Sequence, residues 1–314
     1  MHEIVTFTLN PALDLTTTVD RLIPFQKLRC GPIRRDAGGG GINVARVLKR
    51  WGREVLAVHT AGGPTGERLC RLIAQEALPC LMIAVAADTR EDFTVFESAT
   101  AQQFRFVEQG GPISESEIVL CLSELAQLEP RPVFVVASGS LPPGSPEDAY
   151  ARLAVAARRA GARAVLDASG TALARALKAG VYLVKPNLRE LIDLRGQPLD
   201  DLPSRVAACR DLVQTGQAEI VALTLAEQGA IAVTAVGAWS VMAPTIQAVS
   251  TVGAGDSFLG TMLWRLICGD PVPEALRYGV AAGSASLLAP GTSLCHPADV
   301  ERLLAATVAV AVAL

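Results

Sequence analysis

The sequence predicts an α/β fold: a mostly parallel central sheet between two helical layers, with a small β-sheet projecting from it. Three observations predict it. Short β-prone apolar runs alternate with amphipathic helical stretches over most of the chain. Some of those runs, Val133-Phe134-Val135-Val136-Ala137 above all, are apolar throughout, as strands covered on both faces must be. Two further groups of β-prone segments alternate polar with apolar residues, like strands with one open face, and interrupt the rhythm.

Half of the 314 residues are apolar and charged residues are sparse, so a large core can be buried in one domain spanning 1–314. The net charge of −3 gives no reason to expect nucleic acid or an anionic membrane as partner. No apolar run reaches membrane-spanning length, the alanine- and valine-rich C-terminal tail included. Met1-His2-Glu3 lacks the basic flank of a signal peptide, so a cytoplasmic enzyme is expected. Seven cysteines without a C-x-x-C pair read as reduced thiols, not a disulfide or zinc framework, and three isolated histidines argue against a His-based metal site.

Ile4 to Thr8 is the first strand, broken by Asn10-Pro11-Ala12-Leu13-Asp14. Asp14 lies where open α/β sheets bind ligands, and is equally readable as a turn residue bonding its own backbone. Leu15 to Val19 and Leu28 to Ile33 are β-prone, as are Asp92 to Glu97 and Gln103 to Val107; together they form the projecting sheet, about 14–36 and 89–109. Between them Gly38-Gly39-Gly40-Gly41 runs into a helix with the apolar face Val44, Val47, Leu48 and Trp51. Four glycines suggest close approach of a ligand to the backbone; a flexible linker is the other reading, disfavoured by so periodic a helix directly behind it. Gly39-x-Gly41-x-x-Val44 lacks the third glycine of a dinucleotide fingerprint, and no P-loop motif occurs anywhere. Asn43, one turn into the helix, is placed to bind a sugar hydroxyl.

Val55 to His59, a helix near Gly66 to Gln75 and Cys80 to Val85 continue the alternation. Ser114-Glu115-Ser116-Glu117 is a capping box for a helix to about Leu128. Val133 to Ala137 ends in the loop Ser138-Gly139-Ser140-Leu141-Pro142-Pro143-Gly144, followed by a helix over 145–160 and a strand, Ala164 to Leu166, with Asp167 at its tip. After another helix, Tyr182 to Val184 ends in Lys185-Pro186-Asn187-Leu188-Arg189-Glu190. Ile220 to Leu225, Ile231 to Thr234 and Trp239 to Met242 are the last strands, and helices around 255–268 and 273–288 close the fold. Asp14, Ser140, Asp167, Lys185, Asn187, Glu190 and Thr224 all fall at strand ends, which a doubly wound sheet gathers along one edge into a shared crevice.

Ser250-Thr251-Val252-Gly253-Ala254-Gly255-Asp256-Ser257 opens the helix at 255–268. Its small residues leave first-turn N–H groups open to an anion. Asp256 beside such a site would repel the anion, unless it takes a proton from a group attacking that anion. Capping the helix is the other role open to it.

Gly38-Gly39-Gly40-Gly41-Ile42-Asn43-Val44-Ala45, Lys185-Pro186-Asn187-x-x-Glu190 and Thr251-Val252-Gly253-Ala254-Gly255-Asp256-Ser257, in this order, resemble the ribokinase-like (PfkB) carbohydrate kinases over essentially the whole chain. Thr8-Leu9-Asn10-Pro11-Ala12-Leu13-Asp14 and Ser138 to Gly144 are similar to the phosphofructokinase and tagatose-6-phosphate kinase branch. Lys27-Leu28-Arg29-Cys30, the unbroken Gly38 to Gly41 and Gly291-Thr292-x-Leu294-Cys295 most resemble the minor bacterial 6-phosphofructokinase group. Kinases of fructose 1-phosphate usually carry lysine in place of Gly40.

The resemblance implies a three-layer αβα sandwich and ATP-dependent phosphorylation of fructose 6-phosphate at its 1-hydroxyl, a glycolytic step. Kinases of fructose 1-phosphate or tagatose 6-phosphate are the alternative. Asp256 would be the base, with Gly253, Ala254 and Gly255 as an anion hole. Asp14, Gly39 and Asn43 would bind sugar hydroxyls, and Arg90, Ser140 and Lys27 the 6-phosphate, the lysine reaching over from a partner subunit. Lys185, Asn187, Thr224, Gly229 and Ser284 would line the nucleotide site. Glu190 and Asp167 would orient Mg²⁺ through water. Main-chain oxygens near Ser250, Val252, Ala289, Gly291 and Ser293 resemble a K⁺ site. The projecting sheet would be a lid over the sugar and a homodimer interface. Family members usually carry glycine where this chain has Ala226, so a positive φ there would strain the nucleotide loop.

Overall fold

The computed structural model describes residues 2–288, 291 and 293–313. The chain runs through β1 (Ile4–Thr8), β2 (Ala12–Val19) and β3 (Arg34–Gly38) into α1 (Gly40–Arg50). β4 (Val55–Ala61), α2 (Gly63–Gln75), β5 (Cys80–Ala84), β6 (Arg90–Glu97), β7 (Gln102–Val107) and α3 (Glu115–Gln127) follow. Next come β8 (Phe134–Ser138), α4 (Ala149–Arg159), β9 (Arg163–Asp167), α5 (Gly170–Ala179), β10 (Val181–Val184), α6 (Leu188–Arg195) and α7 (Leu202–Gln214). β11 (Ala218–Thr224), β12 (Ala230–Thr234), β13 (Gly237–Val241), α8 (Ala254–Ile267), α9 (Val272–Ser286), α10 (Pro297–Leu304) and β14 (Ala309–Val312) complete it.

The main sheet has ten strands in the order β14-β13-β12-β11-β10-β9-β8-β1-β4-β5. From β11 to β5 every pairing is parallel, and β12 to β14 add an antiparallel edge. β1 lies between β4 and β8 and is buried on both faces, which is why it reads as apolar without alternation. Val5 and Phe7 pack on the side of α3, α4 and α5, Ile4 on the side of α1, α2, α8 and α9, so two apolar clusters flank the sheet and make three layers. Because β8, β9, β10 and β11 are mutually parallel, their C-terminal ends lie at the same edge of the sheet. The polar tips of β8, β9, β10 and β11 therefore converge there, as expected of a shared crevice. β3-β2-β6-β7 form the separate small sheet, in which β2 and β6 are parallel.

Two expectations change. The segment Leu28 to Ile33 is not a strand; it is irregular and largely exposed, and pairing begins only at Arg34. Pro32 cannot donate to a ladder, and the segment is tied to β2 by isolated bonds at Gly31 instead. Nor do two helices close the fold: α10 and β14 follow, β14 pairing with β13 from Ala238–Val312 to Val241–Ala309. The C-terminal apolar tail is thus an edge strand. No helix among the described residues is long and apolar enough to cross a membrane.

The packing of α1 on α8 sets up the site. Asn43 meets Asp256, Gly260 lies against Val47, and Trp51 stacks on Trp264 with ring centroids 3.8 Å apart. Contacts that advance together along both chains mean parallel helices, so both N-termini point into one cleft. A side chain at 260 would strike Val47, so glycine there keeps the axes close.

Candidate active site

Gly253 is the N-cap of α8 in a left-handed conformation, φ 77°, with no side-chain cap bond. The first-turn N–H groups therefore have neither intrahelical nor side-chain partners. Asp256, in that turn, does not cap the helix; its Oδ2 accepts from Asn43 Nδ2 at 2.9 Å. Burial pushes the Asp256 carboxyl up to about 7, Asp167 and Asp14 adding to the rise while the Asn43 bond and Lys185 oppose it. A carboxyl held near neutrality beside an uncapped helix end suits proton abstraction better than capping.

Lys185 follows β10, and its Nζ lies 3.0 Å from Asp167 Oδ1 at the tip of β9. Burial alone would pull this ammonium down, but Asp167, helped by Glu190 and Asp256, raises it, so it stays charged. A Cβ at Gly255 would lie 3.3 Å from Nζ, which places the cation directly at the open end of α8. Ser138 Oγ donates to the other Asp167 oxygen at 3.5 Å. The cleft end thus sets one buried cation and an open helix N-terminus among the carboxylates of Asp167, Glu190 and Asp256.

Beside it opens a cleft of about 880 Å³ between the ends of β10 and β11, the first turn of α8 and the last turns of α9. Asn187, Thr224, Gly229 and Ser284 all line it, together with Ala254 and Gly255. Gly229 has φ 92°, and a Cβ there would collide with the Val241 carbonyl. Ala226, on the same rim, has φ 51°, so the non-glycine residue at this loop does occupy the left-handed region. Asn187 and Glu190 form a reciprocal capping box for α6, Glu190 Oε2 accepting from Asn187 N at 2.8 Å. Burial raises the Glu190 carboxyl, against that bond and Lys185.

On the other side of Asp256 lie the glycine run and the small sheet. The Asp14 carboxyl rests on Gly38, where an added Cβ would meet it at 2.5 Å. Gly39 has φ 113° and fits against Thr8 and Pro11, and a Cβ at Gly40 would collide with Ser138 Oγ. Arg90 Nη1 donates to both oxygens of Asp92, at 2.9 and 3.0 Å, and Nη2 donates to Asn10 O at 3.3 Å. Asn10 Nδ2 in turn donates to Ser140 Oγ at 3.1 Å. Arg90 and Ser140 are therefore joined through Asn10, a residue to which sequence reasoning assigned no site role of its own. Asp92, whose carboxyl burial raises despite Arg90, is a second group it missed. Lys27 is not gathered with them: it lies on the exposed 20–33 segment with no bond to any described residue.

No cluster of three or more metal-ligating side chains occurs among the described residues. Glu190 and Asp167 flank Lys185, an arrangement suited to a hydrated ion carried in on phosphates and not to a protein cage. Ser250 Oγ donates to Gly291 O at 3.4 Å and accepts from Val252 N at 3.3 Å, which brings three of the expected K⁺-site residues together. The Ser293 carbonyl accepts from Arg50 Nη1 at 2.6 Å, and Ala289 lies outside the described residues.

A layered α/β body that gathers a buried cation, an uncapped helix N-terminus and a carboxyl raised towards neutrality has the parts a phosphotransferase needs. Residues 6–299 match the pfkB family carbohydrate kinase description. The chain is 44% identical over 300 residues to ATP-dependent 6-phosphofructokinase isozyme 2 of Mycobacterium tuberculosis, covering 96% of this chain and 88% of that one. It is 35% identical to 1-phosphofructokinase of Xanthomonas campestris over 84% of each chain. Phosphofructokinase-2 of Escherichia coli, solved with fructose 6-phosphate, superposes with a TM-score of 0.91 at 37% identity, over 97% of this chain and 99% of that one. The same protein has been solved with potassium and in a tetrameric inhibited form. The chain belongs to the pfkB family of carbohydrate kinases, and its fold is ribokinase-like.

Proposed function

We propose that the chain transfers the γ-phosphoryl group of ATP to the 1-hydroxyl of fructose 6-phosphate, forming fructose 1,6-bisphosphate and ADP. The observation that carries this is the Asp256 carboxylate, fixed by Asn43 beside the uncapped N-terminus of α8. The sugar's O1–H gives its proton to Asp256 as O1 bonds the γ-phosphorus, and the bond from that phosphorus to the β-bridging oxygen breaks. The N–H groups of Gly253, Ala254 and Gly255, with Lys185, stabilise charge on the phosphoryl group in flight. Asp14, Gly39 and Asn43 hold the sugar, Arg90 and Ser140 its phosphate, and Lys27 completes that grip from a partner subunit. The cleft lined by Asn187, Thr224, Gly229 and Ser284 takes the nucleotide.

Glu190 and Asp167 would orient the waters of Mg²⁺, which when bound offsets charge on the β- and γ-phosphates. Ser250, Val252, Gly291 and their neighbours would hold K⁺ through carbonyl oxygens, with one lone pair of Ser293 already engaged by Arg50. The small sheet acts as a lid on a single kinase domain and as a dimer interface; exposed Phe106 and Val107 on it, and Phe25 and Ile33 on the segment joining β2 to β3, support that use. Closure would exclude water and prevent ATP hydrolysis. Fructose 1-phosphate and tagatose 6-phosphate are the alternative acceptors, given the relatives that act as 1-phosphofructokinases. ADP release measured with the three phosphosugars separates these readings: a higher kcat/KM for either alternative would overturn the assignment of fructose 6-phosphate.

A further inference from the structure

Asn43 is held at both ends. Its Nδ2 donates to Asp256, and its Oδ1 accepts from Arg46 Nη1 at 3.3 Å. Arg46 is one turn further along α1 and only 5% exposed, an unusual depth for arginine. The same nitrogen donates to Ala37 O at 3.3 Å, at the end of β3 where the small sheet joins the glycine run. Its Nε donates to Glu76 Oε2 at 2.7 Å, at the end of α2. A guanidinium has donors only, so the amide atom facing it must be oxygen. The nitrogen is then turned to Asp256, where a carboxylate can only accept.

We propose that Arg46 is a positioning residue for phosphoryl transfer: it locks the Asn43 amide so that its N–H₂ group holds the Asp256 carboxylate in the orientation that accepts the substrate proton. Without that lock the amide can turn over. Its oxygen would then face Asp256, favouring a protonated carboxyl that cannot act as base. The other charged groups facing Asp256 are Asp167 on β9, Lys185 after β10 and Asp14 on β2. Because Arg46 also holds the Ala37 carbonyl, the root of the small sheet and the base share one buried cation. The inference rests on Asp256 being the base.

The test is a double-mutant cycle with Arg46→Lys and Asn43→Ala, read as kcat and as KM for ATP. Lysine keeps the buried charge, and a thermal melt establishes that each variant is folded. Arg46→Lys alone should lower kcat by about tenfold, within the range of coupled neighbours, and leave KM for ATP unchanged. Its acid limb in the kcat–pH profile should move to higher pH. In the Asn43→Ala background the same substitution should change kcat by less than about twofold. Additive effects, or an unmoved acid limb, would overturn the proposal. Glu76→Gln guards against a purely structural origin, since it disturbs the ion pair without touching the amide and should leave the acid limb in place; a shift equal to that of Arg46→Lys would also overturn it. If Asp256→Asn turns over like wild type, the base assignment has failed. If it is inactive while the cycle is additive, only the role of Arg46 has failed.

Discussion

The Asn43 amide and the Asp256 carboxylate meet at 2.9 Å although 213 positions separate them in the chain. Two helices with aligned N-termini make that meeting possible, and much of what can be tested follows from it.

Replacing Asp256 by asparagine keeps the shape and the hydrogen bond but removes the base. Turnover should fall by about 10²–10⁴, the usual worth of a positioned base, with KM for both substrates within a few-fold of wild type. Steady-state kinetics on the purified variant provide the measurement, and wild-type turnover would refute the assignment.

Because burial places the Asp256 carboxyl near 7, kcat should rise about tenfold per pH unit on the acid side and level off above that value. Stability moves the opposite way. The folded chain holds this proton up to about 7, whereas the unfolded chain releases it near the ordinary 3.8. The contribution is complete below the lower value and is lost as pH rises through the upper one. Asp256→Asn should therefore melt higher than wild type at pH 8, and the gap should close towards pH 4.

How much of this was legible in the sequence depends on the kind of signal. Apolar runs announced the parallel strands, and glycines before Asp256 announced an open helix end, because each states a local physical need. Polar strand tips announced the crevice, since topology sends them to one edge. Arg46 and Asp92 left no such trace: a buried cation at 46 looks in sequence like an exposed position on an amphipathic helix. The 28–33 segment misled because β-prone residues on either side of Gly31 and Pro32 have propensity for a strand without a ladder to join. The tail that became β14 offered only alanines and valines, which serve an edge strand and a buried helix alike.

Ala226 at φ 51° carries strain of about 1–2 kcal/mol, while glycine there would lose about 0.4–1 kcal/mol through a looser unfolded chain. Ala226→Gly should stabilise the protein by about 0.5–1 kcal/mol, the difference of those two terms, as read from the denaturant midpoint. KM for ATP should fall as the rim of the nucleotide cleft relaxes. A lower midpoint would show the loop to be unstrained.

Arg90 and Asp92 are buried to similar depth, with only 11% and 10% of their side chains exposed. Arg90→Ala strands the acid and should cost about 3 kcal/mol or more. Adding Asp92→Asn should recover much of that loss. Both variants should show KM for the phosphosugar raised at least tenfold with KM for ATP little changed, the pattern of a lost phosphate clamp. Equal shifts in both constants would remove Arg90 from the sugar side.

Gly40 leaves no room for a side chain beside Ser138. Gly40→Lys should therefore depress kcat/KM for every phosphosugar by about tenfold or more, without opening activity on fructose 1-phosphate. A selective gain on that sugar in coupled assays would show that the loop after β8 can give way.

The chain has three tryptophans, and two of them, Trp51 and Trp264, lie face to face where α1 and α8 run together beyond the chemistry. Any twist of one rod against the other at the reacting end must be felt at the indole pair. The protein thus carries its own optical gauge: near-ultraviolet dichroism and emission, without an added label, report how the two rods sit as ligands arrive.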